Sequence, residues 1–174
     1  MFIDGEFIQG RYGGSQETTN NRMEMFGLIG GMEMLPTQQM IRCKGCGVVA
    51  DPHEMTEFCE IKGTIMRPLY DNAAIVSDSQ YCVRGASEWV HSWKRSGWKT
   101  SSKQPVKNQD LWERIDALAR VCGARFEWVK GHSNDPGNTM ADHFAVAGKK
   151  MVKKMGQAEW DMRISAEEVA NFLA

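Results

Sequence analysis

The sequence predicts an α/β fold, a mixed sheet flanked by helices, in a single domain spanning residues 1–174. Three observations predict it. Short segments with strand character alternate with longer segments of helical period. The strand-like segments are bounded by turn residues. The length suits one domain able to bury a core.

The elements follow in order. Met1 to Gln16 reads as a β-hairpin: Phe2 and Ile3, an Asp4-Gly5 turn, then Phe7 and Ile8. Asn20 or Asn21 caps a helix that starts near Arg22. Its apolar positions Met25, Leu28, Ile29, Met32 and Leu35 recur at helical spacing. Gly27, Gly30 and Gly31 each weaken it by roughly 1 kcal/mol relative to Ala. Pro36 ends it. Residues 36–72 are rich in Cys, Gly and Pro, have no long apolar period, and read as an inserted segment. Ala73 to Val76 is a short buried strand ending at Ser77-Asp78. Ser79 to Trp93 is helical, with Val83, Ala86 and Val90 on one face. The stretch from Ser96 to Lys107 is a polar, basic excursion. Gln109 to Val121 is a helix with Leu111, Trp112, Ile115 and Leu118 inward. Arg125 to Val129 alternates as a strand, and both Trp112 and Trp128 are assigned to packing. Residues 131–138 form a loop with Pro136 and Gly137, and a helix runs from Thr139 to about Met155. Ser165-Ala166-Glu167-Glu168 is a capping box before Val169, Phe172 and Leu173.

The net charge of −1 does not by itself point to an anionic partner. Its distribution does. Residues 1–75 hold ten acids against six bases, whereas residues 91–109 hold five bases (Lys94, Arg95, Lys99, Lys103, Lys107) and no acid. Trp93 and Trp98 interleave with these bases, a mixture that fits a nucleic-acid backbone and its sugars. No apolar run is long enough for a transmembrane helix, and no basic-then-apolar leader is present. A monomer without a membrane partner is expected. Five cysteines, two of them in Cys43-Lys44-Gly45-Cys46, fit a cytoplasmic chain with a metal clip better than a disulfide framework. Cys82 and Cys122 read as small buried apolar residues.

Three separated segments carry distinctive acids: Thr18-Thr19-Asn20-Asn21-Arg22-Met23-Glu24, Ser77-Asp78-Ser79-Gln80-Tyr81, and Gly131-His132-Ser133 leading to Ala141-Asp142-His143. Glu24, Asp78 and Asp142 sit where a strand or helix can aim them at one point. Converging carboxylates repel unless cations lie between them. Oxygen ligands of this kind suit Mg²⁺ or Mn²⁺, and a pair of such ions cleaves phosphodiesters. An imidazole at His132 can shuttle a proton at physiological pH. His91 and His143 read as incidental.

These strings resemble type 1 ribonuclease H, together with Trp-Lys-Arg-Ser-Gly-Trp-Lys-Thr at 93–100, Pro-Val-Lys-Asn-Gln-Asp-Leu-Trp at 105–112 and Glu-Trp-Val-Lys-Gly-His at 127–132. They occur in the family's order with nearly its spacing over 73–148. The resemblance implies a ribonuclease H-like mixed sheet and cleavage of the RNA strand of RNA–DNA hybrids by two Mg²⁺ ions held by four carboxylates. Glu24, Asp78 and Asp142 match three of the four. His132 matches the mobile histidine that assists product departure or proton transfer. Thr19 and Asn20 fall in the stretch that helps hold hybrid backbone. Trp93, Lys94, Arg95, Trp98, Lys99 and Lys103 match the basic protrusion that grips the DNA strand.

The chain departs from the family twice. The fourth carboxylate belongs to the family's first strand, and Met1 already lies in what resembles the second, so the fold is expected to be N-terminally truncated. Asp4 resembles the hairpin turn and is too close to Glu24 for the family's arrangement. The second departure is the insertion at 36–72. There Cys43, Cys46, His53 and Cys59, spaced C-x2-C-x6-H-x5-C, supply four ligands of a kind that suits tetrahedral Zn²⁺, although the spacing matches no standard finger; a hairpin from Val48-Val49 to Phe58 with free thiols is the alternative. The function expected is hydrolysis of hybrids. Its rival is a hybrid-binding module, catalytically impaired for want of the first-strand Asp. A third reading makes Met1 internal to a longer, active product.

Overall fold

Asp4 and Gly5 take φ of 50° and 85°, the two-residue loop whose twist suits a hairpin. They join β1 (Phe2–Ile3) to β2 (Glu6–Phe7). The structure is a computed structural model in which the described residues are 1–44, 49–50, 61–70, 72–131, 135–155 and 159–173. β3 (Gln9–Ser15) follows the hairpin and pairs antiparallel with β9 (Glu159–Ser165), from Gln9↔Ser165 to Ser15↔Glu159. β9 is not expected from the sequence reading, although Trp160, Met162 and Ile164 alternate as a half-buried strand should.

α1 spans Asn20–Met34 and is capped by Thr19, one residue before the expected Asn20 or Asn21. The Thr19 hydroxyl accepts from the Arg22 amide at 3.3 Å. The three glycines do not stop the helix, because Met25, Leu28, Ile29 and Met32 bury its inner face almost completely. The insertion begins and ends in regular structure. β4 (Thr37–Cys43) pairs antiparallel with β6 (Ile61–Pro68), and β5 (Val49–Ala50) lies on the other edge of β4. Most of the alternative hairpin at 48–58 lies outside the described residues.

β7 (Ala74–Ser77) runs parallel to β8 (Arg125–Trp128). The helix expected at 79–93 is three pieces: α2 (Gln80–Arg84), a π-helical segment (Gly85–Trp89) and α3 (Val90–Arg95). The π segment starts where the Trp112 indole presses on Gly85; a Cβ there would stand 2.0 Å from the ring. α4 (Gln109–Cys122) stops at Gly123, whose φ of 61° is the left-handed C-cap conformation. α5 (Pro136–Met155) begins three residues earlier than expected. Pro136 suits a first helical position, and the Asp135 carboxylate caps the turn by accepting from the Asn138 amide at 2.7 Å. In α6 (Ala166–Leu173) the expected box forms, with Ser165 and Glu168 bonding reciprocally to each other's amides.

The core lies between α1 and α4, with Ile75 of β7 against it. Met25, Trp112, Ile115 and Cys82 are fully buried, with Val90, Leu28, Ile29 and Leu111 around them. Trp112 is packing, as expected. Trp128 is not: it remains 47% exposed, because nothing among the described residues covers that face of the short β7–β8 pair. A second cluster lies between β3 and α5, where Tyr12 stacks on Phe144 at 5.7 Å.

Ions bind the halves. Arg11 on β3 holds Asp161 on β9 and Glu33 on α1, and Glu33 also accepts from Arg114 on α4. The Arg11 hydrogen bonds hold the Asp161 carboxyl below its ordinary value. Burial opposes ionisation of Glu33, but hydrogen bonds from Arg11 and Arg114 outweigh it and leave that carboxyl lowered too. Depressed carboxyls stabilise the fold above their unfolded values, and that stability is lost as pH falls through the folded ones. Stability should therefore decline from about pH 4.5 downwards, and Asp161→Asn should flatten the decline, measured as urea midpoints between pH 6 and pH 3. The effect will be modest, since Asp161 is half exposed.

Backbone conformation generates another prediction. Lys103 has φ of 62°, a region costly for residues with a Cβ, and Gly27 is exposed on α1 with nothing within 4 Å of an added Cβ. Lys103→Gly and Gly27→Ala should each raise thermal stability, by roughly 0.5–1 kcal/mol. Asn108→Gly should not, although its φ is 57°, because its side chain bonds Arg22 and Tyr81.

Candidate active site

The site is built at the carboxyl ends of β7 and β8, the position from which parallel strands present ligands. Ser77 ends β7, and the chain turns there into α2. Ser79 is the N-cap, its hydroxyl accepting from the Cys82 amide at 3.3 Å. The same hydroxyl donates to Glu24 Oε2 at 2.6 Å. Ser79 is only 8% exposed, so this bond fixes the Glu24 carboxylate against the start of α2. Asp78 lies between the two serines. Its carbonyl accepts from Trp128 Nε1 at 2.9 Å, which ties it across the strand pair. Its carboxylate lies against the backbone just beyond β8, where a Cβ on Gly131 would stand 2.8 Å from Oδ2.

Glu24 and Asp78 are exposed, and among the described residues neither has a cationic partner. Their charge is felt nearby. Burial pushes the Cys82 thiol up to about 11, the Ser79 hydrogen bond counters this, and the two carboxylates add to it. Asp142 is half-buried on α5, which packs on β3 and β9 instead of on β7. Among the described residues, no three His, Cys, Asp or Glu side chains come close enough to share a metal ion. The structure thus brings Glu24 and Asp78 together at Ser79 and carries Asp142 on a separate element. His132 lies outside the described residues, as do Cys46, His53, Cys59 and the side chain of Cys43.

The basic excursion is a compact hairpin. Thr100 N donates to Gln104 O at 2.8 Å, Val106 N to Trp98 O at 3.0 Å, and Lys99 bridges Pro105. Trp98, Lys103 and Asn108 all take left-handed conformations, strain typical of functional loops. Trp93 and Trp98 are half-buried and pack on the core, Trp93 between Trp89 and Trp112. Lys94 donates to the buried Asp116 at 2.8 Å, which commits its charge internally. Arg95, Lys99 and Lys103 are exposed and, among the described residues, without carboxylate partners. Thr19 and Asn20 are exposed at the start of α1. That start is fastened to the hairpin's base by Arg22, which donates to Asn108 Oδ1 at 3.3 Å and to Asp110 at 2.8 Å.

Sequence reasoning missed Ser79 and Arg22 as site residues. The signal for Ser79 was its position directly after Asp78 and before a helix, where a hydroxyl caps and is free to reach a neighbour. Arg22 gave no signal, since its partners are more than eighty residues away.

Comparison with known proteins agrees with this geometry. The family profile described as RNase H matches residues 51–150. The Ribonuclease H of Alcanivorax borkumensis is 40% identical over 159 residues, covering 91% of this chain and 84% of that one. The Ribonuclease H of an Acidovorax species is 38% identical over 143 residues, covering 81% and 75%. Among solved structures, LC9-RNase H1, described as a type 1 RNase H with the type 2 active-site motif, matches with a TM-score of 0.54 at 26% identity. That match covers 88% of this chain and 57% of the other. A profile over more than half the chain and relatives this similar over most of their length settle the matter: the chain belongs to the type 1 ribonuclease H family of enzymes.

Proposed function

We propose that this chain hydrolyses the RNA strand of RNA–DNA hybrids, as a cytoplasmic monomer using Mg²⁺ or Mn²⁺. The observation that carries the reading is the pairing of Glu24 and Asp78 about Ser79, with no cationic partner among the described residues, in a fold whose basic hairpin is fastened to the same helix. The donor set suits a hard divalent ion, being oxygens alone on the described side chains. Glu24 and Asp78 would hold it, with Asp142 and a two-ion arrangement supported by the family match. Such ions, when bound, supply charge neutralisation at the phosphate and acidify the attacking water. The rest falls to the chain. Ser79 orients Glu24, Trp128 ties the Asp78 carbonyl, and Glu24 would contact the 2′-OH region that separates RNA from DNA. Thr19 and Asn20 take hybrid backbone, and Arg95, Lys99 and Lys103 take phosphates of the DNA strand. His132 would carry a proton to the leaving oxygen. Zinc on Cys43, Cys46, His53 and Cys59 is supported by the ligand count of the insertion alone. The absence of any membrane-crossing helix among the described residues is compatible with this reading.

A second reading, a hybrid-binding module with impaired hydrolysis, is favoured by one observation: among the described residues no three carboxylates cluster closely enough for an ion. Cleavage of a labelled hybrid separates the two. With Mg²⁺ present, the proposed enzyme should cut the RNA strand, and Asp78→Asn should lower the rate by more than about a hundredfold while leaving hybrid affinity within about twofold, since phosphate contacts supply most of it. Tight binding by the unaltered chain without cleavage would establish the second reading; neither binding nor cleavage would sink both. In the same assay, neutralising Arg95, Lys99 and Lys103 together should reduce the slope of log affinity against log salt by about 2–3. An unchanged slope would remove the hairpin from the interface.

A further inference from the structure

β3 carries both helices that bear the outlying carboxylates. On one face it meets α5, the helix of Asp142. A Cβ on Gly10 would stand 2.3 Å from the Phe144 ring, one on Gly14 would stand 2.8 Å from Val152, and one on Gly148 would stand 2.0 Å from the Gly13 carbonyl oxygen. Toward α1, the helix of Glu24, β3 presents Arg11, whose Cδ lies 3.6 Å from the place of a Cβ on Gly30. Yet β3 has a single sheet partner among the described residues, the C-terminal strand β9.

Arg11 connects all of these. Its Nε donates to both Asp161 oxygens, at 2.8 and 3.0 Å, and its Nη1 donates to Glu33. Glu33 in turn accepts from Arg114. Asp161, Arg11, Glu33 and Arg114 therefore alternate in sign across β9, β3, α1 and α4. α1 is held at its other end by the Glu24–Ser79 bond and by Arg22. Glu24 and Glu33 are about 13 Å apart along the axis at the helical rise. A helix pinned at both ends neither slides nor rolls, and one with three glycines depends on such pins more than most.

We propose that the C-terminal strand is part of the catalytic scaffold, and that Arg11 is a positioning residue that sets where α1 presents Glu24, through Asp161 on β9 and Glu33 on α1. The catalytic half of this proposal rests on the hydrolase reading above. The geometric half does not.

The test uses the full chain carrying Arg11→Gln, Arg11→Lys, Asp161→Asn, or Arg11→Gln with Asp161→Asn. Two readouts are taken: kcat and KM on a hybrid, and hydrogen exchange of the α1 amides. Arg11→Gln should lower kcat by a factor on the order of 10 to 100, the scale of an ångström-sized misplacement, with KM within about twofold. It should also speed exchange along α1 while the amides of α4 stay protected. Arg11→Lys should recover part of both. Asp161→Asn, a mild change at a half-exposed site, should act in the same direction, and the double variant should be little worse than Arg11→Gln, because the two residues act through one link. Unchanged kcat and unchanged α1 exchange in Arg11→Gln would overturn the proposal. So would loss of protection spread evenly over α1 and α4, which marks general destabilisation. If the unaltered chain does not cleave hybrids, the hydrolase reading fails by itself, and the exchange data still decide whether Arg11 couples β9 to α1.

Discussion

How near α5 can come to β3 sets the shape of the molecule around the site. The Gly148 face of the helix rests on the peptide of Gly13, and Phe144 and Val152 fill the places that side chains on Gly10 and Gly14 would take. No residue with a Cβ fits at this contact without moving the helix. The α5 face of the strand carries Gly10 and Gly14 on either side of Tyr12, which stacks on Phe144, and toward α1 the strand presents the long charged side chain of Arg11. β3 serves as a plate between two helices, and the carboxylates those helices bear inherit their positions from it.

On the other side of α1 a second anchor works by hydrogen bonding. The Ser79 hydroxyl has two tasks, capping α2 and holding Glu24. A hydroxyl can do both because it donates once and accepts twice. Asp78 needs no such partner, since the turn out of β7 and the Trp128 indole fix its backbone. The Glu24 carboxylate and the Asp78 backbone are therefore held by neutral groups, and neither carboxylate has a cationic partner among the described residues. The basic hairpin differs: Lys94 pairs with the buried Asp116, whereas Arg95, Lys99 and Lys103 have no carboxylate partner among the described residues.

Much of this was legible in the sequence, for identifiable reasons. Helical period located α1, α4 and α5, because each buries one apolar stripe. Asp4-Gly5 announced its turn, and Ser165 with Glu168 its capping box, because such signals are local. The motifs singled out Glu24 and Asp78, two acids that the structure brings to either side of Ser79. What was hidden depended on partners distant in sequence. The π segment begins at Gly85 beneath the Trp112 ring, a contact no local pattern encodes. Trp128 reads as core by alternation, but burial needs a covering layer, and the sequence does not say whether one is there. β4 and β6 pair without an apolar period to mark them. Arg22 and Arg11 look like ordinary surface cations until their partners are known.

The pairing of β3 with β9 has a consequence for the order in which the chain can fold. Arg11 and Asp161 are 150 residues apart. Synthesis of that separation takes roughly 10–30 s at ordinary ribosomal rates. Until β9 emerges, β3 lacks the strand it pairs with among the described residues, whereas α1 and α4 can already meet in their core. Closing the loop between them costs little more than closing a shorter one, but it comes late. The half of the fold around Trp112 can be complete before the strand that aligns the helices of Glu24 and Asp142 meets β9. β9 is then the strand that joins a folded core to a finished site.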